Sequence, residues 1–136
     1  MKVLLLHARD YWLRPYEKSV PEAGDPAASL TAQDALLALV HVEPADPAEH
    51  AKRVTQGIKQ IKWLAGKLGT RSVILHSFAH LATGRAEPRE AEALLRDMQA
   101  RLADAGYAVQ VTPFGWFNEF RVHVAGPSLA KVFAEF

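Results

Sequence analysis

The sequence lacks several features that would narrow its function. None of its 136 residues is cysteine, which excludes disulfides and thiolate catalysis and fits a reducing compartment. The first apolar run, Val3–Leu6, has only four residues, too few for a signal-peptide core or a membrane span. A cytoplasmic protein without a membrane partner is therefore expected. Because the net charge is only +1, any surface for nucleic acid must be a local patch.

The motifs of common enzymes and cofactor-binding proteins are also absent. The sequence contains no HExxH, GxSxG, P-loop or GxGxxG pattern. His76 and His80 are four positions apart, but this spacing brings two metal ligands together on a helix and not along a strand and its exit. The sequence therefore predicts no metal site.

What is present is the composition of one globular domain. Hydrophobic residues make up 49% of the chain and charged residues 23%, which is typical of soluble proteins. A chain of this length can bury a hydrophobic core without disulfides. We expect a single domain that spans residues 1–136.

The stretch Arg71–Ala82 is the one around which the rest is interpreted. Val73–Leu75 is a continuous apolar run, typical of a strand buried on both faces. His80 lies at the exit of this strand, and a helical pattern begins after Pro88. In α/β proteins, ligands bind at the carboxyl ends of such strands. The alternative is a core strand whose histidines only form local hydrogen bonds, and this stretch alone favours the alternative.

The hydrophobic periodicity predicts an α/β fold, in which a mixed β-sheet is covered by two main helices. Asp46 and Pro47 predict the start of the first helix, with Asp46 as its N-cap. Glu49 would complete a capping box, and Gly69 would end the helix. The other predicted elements are strands at Lys2–Ala8, Ala35–Glu43, Tyr107–Val111 and Phe117–Val124, a loop or irregular hairpin at Arg9–Thr31, a helix from Pro88 to Gly106, and a short helix in Ser128–Phe136.

The outer face of the first helix is basic. It carries Lys52, Arg53, Lys59, Lys62 and Lys67. Solvated side chains are the simpler interpretation of such a face, and contact with a phosphate backbone is the functional alternative.

The segment Pro113–Gly126 is the more specific functional signal. A proline, a glycine and three aromatic residues at a strand boundary predict a tight turn with exposed backbone amides. The flat aromatic walls could hold a nucleobase or a small substrate. A packed hairpin would also account for this pattern.

Four motifs together resemble one known family. They are MKVLLLHA at the start, ALVHVE at Ala38–Glu43, FAHL at Phe78–Leu81, and PFG followed by two aromatics at Pro113–Phe117. In this order, and over nearly the whole chain, they resemble the N-terminal editing domain of archaeal-type threonyl-tRNA synthetases. That domain is related to the D-aminoacyl-tRNA deacylases.

The resemblance implies a D-aminoacyl-tRNA deacylase-like fold and a deacylase that removes serine from mischarged tRNA(Thr). It also implies a homodimer, possible attachment to the rest of a threonyl-tRNA synthetase, and no cofactor for the editing reaction. One side of the implied pocket is Phe78, Ala79 and His80, and the other is Phe114, Gly115, Trp116, Phe117 and Asn118. His41 and Val42 would flank the terminal adenosine, and Lys52, Lys59 and Lys62 would bind the body of the tRNA.

Two residues depart from the family pattern. Asn118 stands where the family often has a lysine, and Lys131 stands where it often has a glutamate that meets the substrate's amino group. If those side chains carried acid–base catalysis, this chain would be inactive. We expect instead that backbone amides and the 2′-hydroxyl of the tRNA carry the reaction, with His80 and Asn118 as the side chains closest to the chemistry. A D-aminoacyl-tRNA deacylase and an inactive tRNA-binding or dimerisation module are the alternatives.

Overall fold

A computed structural model describes residues 1–25 and 29–136 of the chain. Pro26, part of the predicted loop, lies outside the described residues. The strands are β1 (Lys2–Lys18), β2 (Leu30–His41), β3 (Ser72–Ser77), β4 (Ala108–Val111), β5 (Trp116–Val124) and β6 (Lys131–Glu135), and the helices are α1 (His50–Leu68) and α2 (Pro88–Asp104), with 3-10 turns at Asp46–Glu49 and Ser128–Ala130.

The described strands form one mixed sheet in the order β4-β3-β2-β1-β5, and β6 also pairs with β1. β2, β3 and β4 are parallel to one another, whereas β1 is antiparallel to β2, β5 and β6. The predicted fold, a mixed sheet covered by two main helices, is confirmed. In the described part of the chain, no helix is both long and apolar enough to cross a membrane.

Side chains of β2 alternate between two hydrophobic clusters, one on each face of the sheet. Leu36, Ala38 and Val40 pack against α1 and α2 on one face of the sheet. The intervening Leu37 and Leu39 face the other way, as the two-residue period of a strand requires. The second half of β1, together with β5, covers that other face. Both faces of β2 are therefore buried, and its carboxyl end is held firmly.

The prediction of a loop at Arg9–Thr31 is wrong for most of its length, because β1 continues to Lys18 and β2 begins at Leu30. The two strands form an antiparallel hairpin, so the alternative of an irregular hairpin is the nearer one. The pairing between β1 and β5 shifts register next to Pro15, which suits a residue without an amide hydrogen.

The start of α1 also differs from the prediction. The helix begins at His50, after the 3-10 turn, and Asp46 caps no helix end. Its buried carboxylate accepts hydrogen bonds from the Met1 amino group (2.8 Å) and the Glu43 backbone amide (2.7 Å). Glu49 pairs with side chains of α1 and closes no capping box. The Met1 amino group is 45 residues from Asp46 in sequence, so local pattern could not reveal that contact.

The predictions for the helix ends and the last segment had mixed outcomes. Gly69 ends α1 in the left-handed region at φ 69°, as predicted. The segment after Pro127 forms a single 3-10 turn and then β6, so the short helix predicted there is wrong beyond that turn. Pairing of β6 with the first half of β1 favours the strand.

His76 of β3 is buried beneath the second half of β1, and its Nδ1 lies 3.1 Å from the Tyr11 hydroxyl. Burial lowers the pKa of His76 from 6.5 to about 4, and the charge of His80 contributes to the same shift. The histidine therefore stays neutral in the folded protein over a range in which it is charged in the unfolded chain.

This burial predicts an acid-sensitive stability. Between pH 6.5 and 4, His76 becomes protonated in the unfolded chain but stays neutral in the folded protein. The free energy of unfolding should therefore fall by about 3 kcal/mol as the pH drops through this range. Urea unfolding of wild type and His76→Phe across this window would measure the effect, and the variant should show the flatter dependence.

A matched control is His123→Gln, because His123 is exposed on β5 and should leave the slope unchanged. Hydrogen bonds from the Met1 amino group and Lys2 lower the pKa of Glu43 from 4.5 to about 2, so Glu43 also loses stability as the pH falls below about 4.5. This loss is common to wild type and His76→Phe and cancels when their slopes are compared. Equal slopes in wild type and His76→Phe would contradict the assignment.

Candidate active site

A cavity of about 240 Å³ lies at the carboxyl ends of β2 and β3, where the α/β topology places ligands. It brings together seven residues predicted from the sequence: Val42, Ala79, His80, Phe114, Gly115, Trp116 and Phe117. Ser19, Val20, Val40, Ser77, Pro113, Arg85, Ala86, Pro88 and Ala91 complete the lining.

The first wall is formed by the chain that leaves β3. Two backbone hydrogen bonds hold this chain, one to β2 and one to the residue that follows β2. The Phe78 amide donates to the Val40 carbonyl at 2.8 Å, and the Ala86 amide donates to the Val42 carbonyl at 3.0 Å. The chain between these points forms the loop that carries His80. Both ends of the loop therefore have fixed positions.

His41 holds the middle of that loop. Its Nε2 donates to the Gly84 carbonyl at 2.7 Å, and its Nδ1 accepts from the Leu81 amide at 3.1 Å. These two bonds require the neutral ring with its proton on Nε2. Because His41 is fully buried, no part of it can flank an adenosine, which corrects the prediction; its neighbour Val42 does line the cavity.

Phe78 supports His80 from behind instead of lining the cavity. Its ring packs edge-on against His80 (ring centroids 4.9 Å apart) and against His76 (5.8 Å). His80 is exposed and lines the cavity. Within residues 1–25 and 29–136, no carboxylate pairs with it, so it lacks the acidic partner that commonly orients a catalytic histidine.

The second wall is the turn between β4 and β5. Gly115 sits in the left-handed region at φ 80°, and its carbonyl accepts hydrogen bonds from the Ser19 and Val20 amides at 2.8 and 3.1 Å. The Trp116 indole nitrogen donates to the Gly24 carbonyl at 3.0 Å. The segment after β1 thus fixes the aromatic turn.

The two residues that depart from the family pattern lie outside the cavity lining. Asn118 donates to the Trp116 carbonyl at 3.3 Å, and its buried Oδ1 has no hydrogen-bond partner among the described residues. The Lys131 ammonium donates to the carbonyls of Ala125 (2.8 Å) and Gly126 (3.2 Å). Lys131 therefore stabilises the connection between β5 and β6.

The backbone contributes the free donors of this site. The amides of Ala79, Phe114 and Gly115 all belong to lining residues, and in the described part of the chain none of the three has a hydrogen-bond acceptor. Free amides on both walls are available as hydrogen-bond donors, the kind of group that stabilises a developing oxyanion. Backbone amides carry no sequence signal of their own, although the PFG turn predicted exposed amides.

The whole chain, residues 1–136, matches the family model of the archaea-specific editing domain of threonyl-tRNA synthetase. The chain belongs to this family. Threonine–tRNA ligases are among its relatives, with 30% identity in Hyperthermus butylicus and 32% in Cenarchaeum symbiosum. The alignments cover 97% and 98% of this chain but 22% and 21% of those enzymes, so the chain spans about a fifth of their length.

A solved structure with a similar fold is the c-Myc DNA unwinding element binding protein. Its TM-score is 0.71 at 10% identity, and the match covers 100% of this chain and 99% of that one. At this identity the likeness concerns the fold alone, and it confirms the predicted D-aminoacyl-tRNA deacylase-like architecture.

A second, wider cavity of about 930 Å³ adjoins the editing-domain pocket and shares Val20, Pro88, Phe114 and Gly115 with it. Its lining includes four carboxylates and two guanidinium groups, from Glu22, Glu87, Glu90, Glu92, Arg89 and Arg96. This acidic balance disfavours a phosphate backbone.

One cation of the pocket was missed by the sequence analysis. Arg85 lines the cavity beside His80 and is exposed, and no carboxylate in the described part of the chain pairs with it. Its position directly after Ala82-Thr83-Gly84 matched no motif. A guanidinium group can pair with a phosphate or a carboxylate of a ligand.

Proposed function

We propose that this editing domain hydrolyses L-seryl-tRNA(Thr), releasing serine that was attached to the wrong tRNA. The observation that carries the proposal is the pair of walls with free backbone amides, at Ala79 on one side and at Phe114 and Gly115 on the other. An aminoacyl ester is already reactive, so positioning and oxyanion stabilisation can supply most of the catalysis.

In the proposed step, a water oxygen attacks the ester carbonyl carbon, and the bond from that carbon to the 3′ oxygen of the terminal adenosine breaks. The free amides hold the oxyanion. The adenosine 2′-hydroxyl holds the water, and the proton passes to the departing 3′ oxygen. His80 shapes the wall and presents its own backbone. As proposed, the reaction uses no cofactor.

A separate hydrolytic site is useful because binding alone discriminates poorly between threonine and serine. A synthetic pocket built for threonine cannot strongly exclude serine, because one methyl group is worth only about 1–3 kcal/mol. The cavity here is small, about 240 Å³, and Val42 and Ala79 are among its apolar walls. We propose that these walls reject the extra methyl of threonine, so the correct ester is spared.

The aromatic turn is the proposed platform for the terminal adenosine. Phe117 is 53% exposed and lies beside Trp116 at the cavity, and base–aromatic stacking contributes about 1–3 kcal/mol per base. The partners that follow from the proposal are the 3′ end of tRNA(Thr) and the remainder of a threonyl-tRNA synthetase. A homodimer is a further proposal that the family resemblance supports.

The experiment that tests the assignment compares L-seryl-tRNA(Thr) with D-seryl-tRNA(Thr), using the purified chain. We expect faster release of L-serine. Preferential release of D-serine would instead make the chain a D-aminoacyl-tRNA deacylase. No release of either would leave a tRNA-binding or dimerisation module, and the enzyme assignment would be wrong.

A further inference from the structure

Helix α1 concentrates charge of one sign. Between His50 and Leu68 it carries five lysine and arginine residues and no aspartate or glutamate, although the whole chain has a net charge of only +1. Such asymmetry on one element creates a local positive field. The exposed side of the helix is therefore locally basic.

Some basic side chains of α1 pair with carboxylates, and others do not. The Lys52 ammonium lies 2.9 Å from the Glu49 carboxylate, and Arg53 pairs with Glu49 and with Asp46. Lys59, Lys62 and Lys67 are exposed, and none of the described carboxylates pairs with them. Of the predicted lysines Lys52, Lys59 and Lys62, Lys52 is thus engaged by a carboxylate, whereas Lys59 and Lys62, like Lys67, have no such partner among the described residues.

A half-exposed tryptophan lies among these free lysines. Trp63 is 46% exposed and is four residues from both Lys59 and Lys67, so the three side chains share one helix face. A shallow cavity of about 460 Å³ beside them is lined by Gln56, Lys59, Gln60, Trp63 and Phe136. The surface combines an indole face, two amides and unpaired ammonium groups.

We infer that this surface, formed by Gln56, Lys59, Gln60, Trp63 and Lys67, binds an unpaired nucleotide of the tRNA. The base stacks on Trp63 and the glutamine amides meet its edge, while the two lysines hold the neighbouring phosphates. The inference rests on the proposed function for the identity of the RNA. A protein partner fits less well, because protein interfaces are depleted in lysine and in unpaired charge at their centres.

The test is binding of uncharged tRNA(Thr) to the full chain, measured by fluorescence anisotropy at several salt concentrations. Trp63→Ala should weaken binding roughly 5- to 100-fold, the loss of one stacked base, and Trp63→Phe should retain most of the affinity. Lys59→Gln and Lys67→Gln should each lower the salt slope by about one counterion.

Two matched controls are available on exposed positions. Phe133→Ala removes an aromatic side chain of similar exposure from β6 (53%, against 46% for Trp63), and Lys52→Gln removes a lysine that is paired with Glu49. Neither substitution should change affinity or salt slope appreciably. Thermal unfolding confirms that every variant is folded.

Unchanged binding in Trp63→Ala, or no tRNA binding by the wild type, overturns the inference. Loss of binding to the rest of a threonyl-tRNA synthetase in Trp63→Ala, with tRNA binding intact, overturns it in favour of a protein-docking surface. Because the assay uses uncharged tRNA, failure of ester hydrolysis with Trp63-dependent binding retained would contradict only the proposed function.

Discussion

Seryl-tRNA(Thr) whose terminal adenosine lacks the 2′-hydroxyl, with serine on the 3′ oxygen, is expected to bind the editing domain but to be hydrolysed at least about 100-fold more slowly. The reason is the composition of the pocket. Its lining contains one titratable histidine, His80, which has no carboxylate partner in the described part of the chain. In the proposed mechanism no side chain acts as the general base, and the substrate's own hydroxyl holds the water.

The measurement is a single-turnover rate on the deoxy and the normal substrate, with binding followed separately. The companion variants are His80→Ala and Asn118→Ala, which should each lower the rate only modestly, short of the roughly 10²–10⁴-fold loss of a general acid–base group. Normal hydrolysis of the deoxy substrate, or near-complete loss of activity in folded His80→Ala, would overturn this mechanism.

The second large effect is expected from Gly115→Ala. A Cβ added at Gly115 would lie 2.8 Å from the Ala23 Cβ and 3.2 Å from the Val20 Cβ, and the residue has φ 80°. The left-handed conformation costs a residue with a side chain roughly 1–2 kcal/mol, and the contacts push the turn away from the segment that anchors it. Displacement of the turn moves the free amides of Phe114 and Gly115, and misplacement by about 1 Å can cost about 100-fold in rate.

The variant is compared with Gly66→Ala on α1, where an added Cβ meets nothing within 4 Å. That substitution should leave hydrolysis unchanged and should stabilise the helix slightly. Single-turnover hydrolysis and thermal unfolding of both variants separate the effect on the pocket from the effect on folding. A Gly115→Ala protein with wild-type rates would show that the geometry of the turn does not control the reaction.

Local sequence pattern predicted much of the fold, because several elements are specified by neighbours along the chain. The apolar run of β3 and the periodic faces of α1 and α2 are buried as predicted. The extension of β1 was missed because the burial of Tyr11 depends on packing with β5, whose Phe120 ring lies 6.2 Å from it. No short-range signal carries such a contact.

In the candidate site too, some features follow from local sequence and others depend on contacts made only in the fold. The FAHL and PFG motifs predicted which segments meet, and the cavity contains residues from both. The roles of His41 and Lys131 could not be predicted, because each depends on which backbone carbonyls lie beside it after folding. The free amides were only partly predictable, since an amide is free only when no other group in the fold reaches it.

The most direct measurement of the central claim is the rate at which the purified chain hydrolyses L-seryl-tRNA(Thr) and L-threonyl-tRNA(Thr), prepared on the same tRNA. The two esters differ by one methyl group, so tRNA binding and ester reactivity are matched. We predict that the seryl ester is hydrolysed at least about 10-fold faster, the scale that one methyl group supports in a fitted pocket. Equal rates on the two esters would contradict the editing assignment.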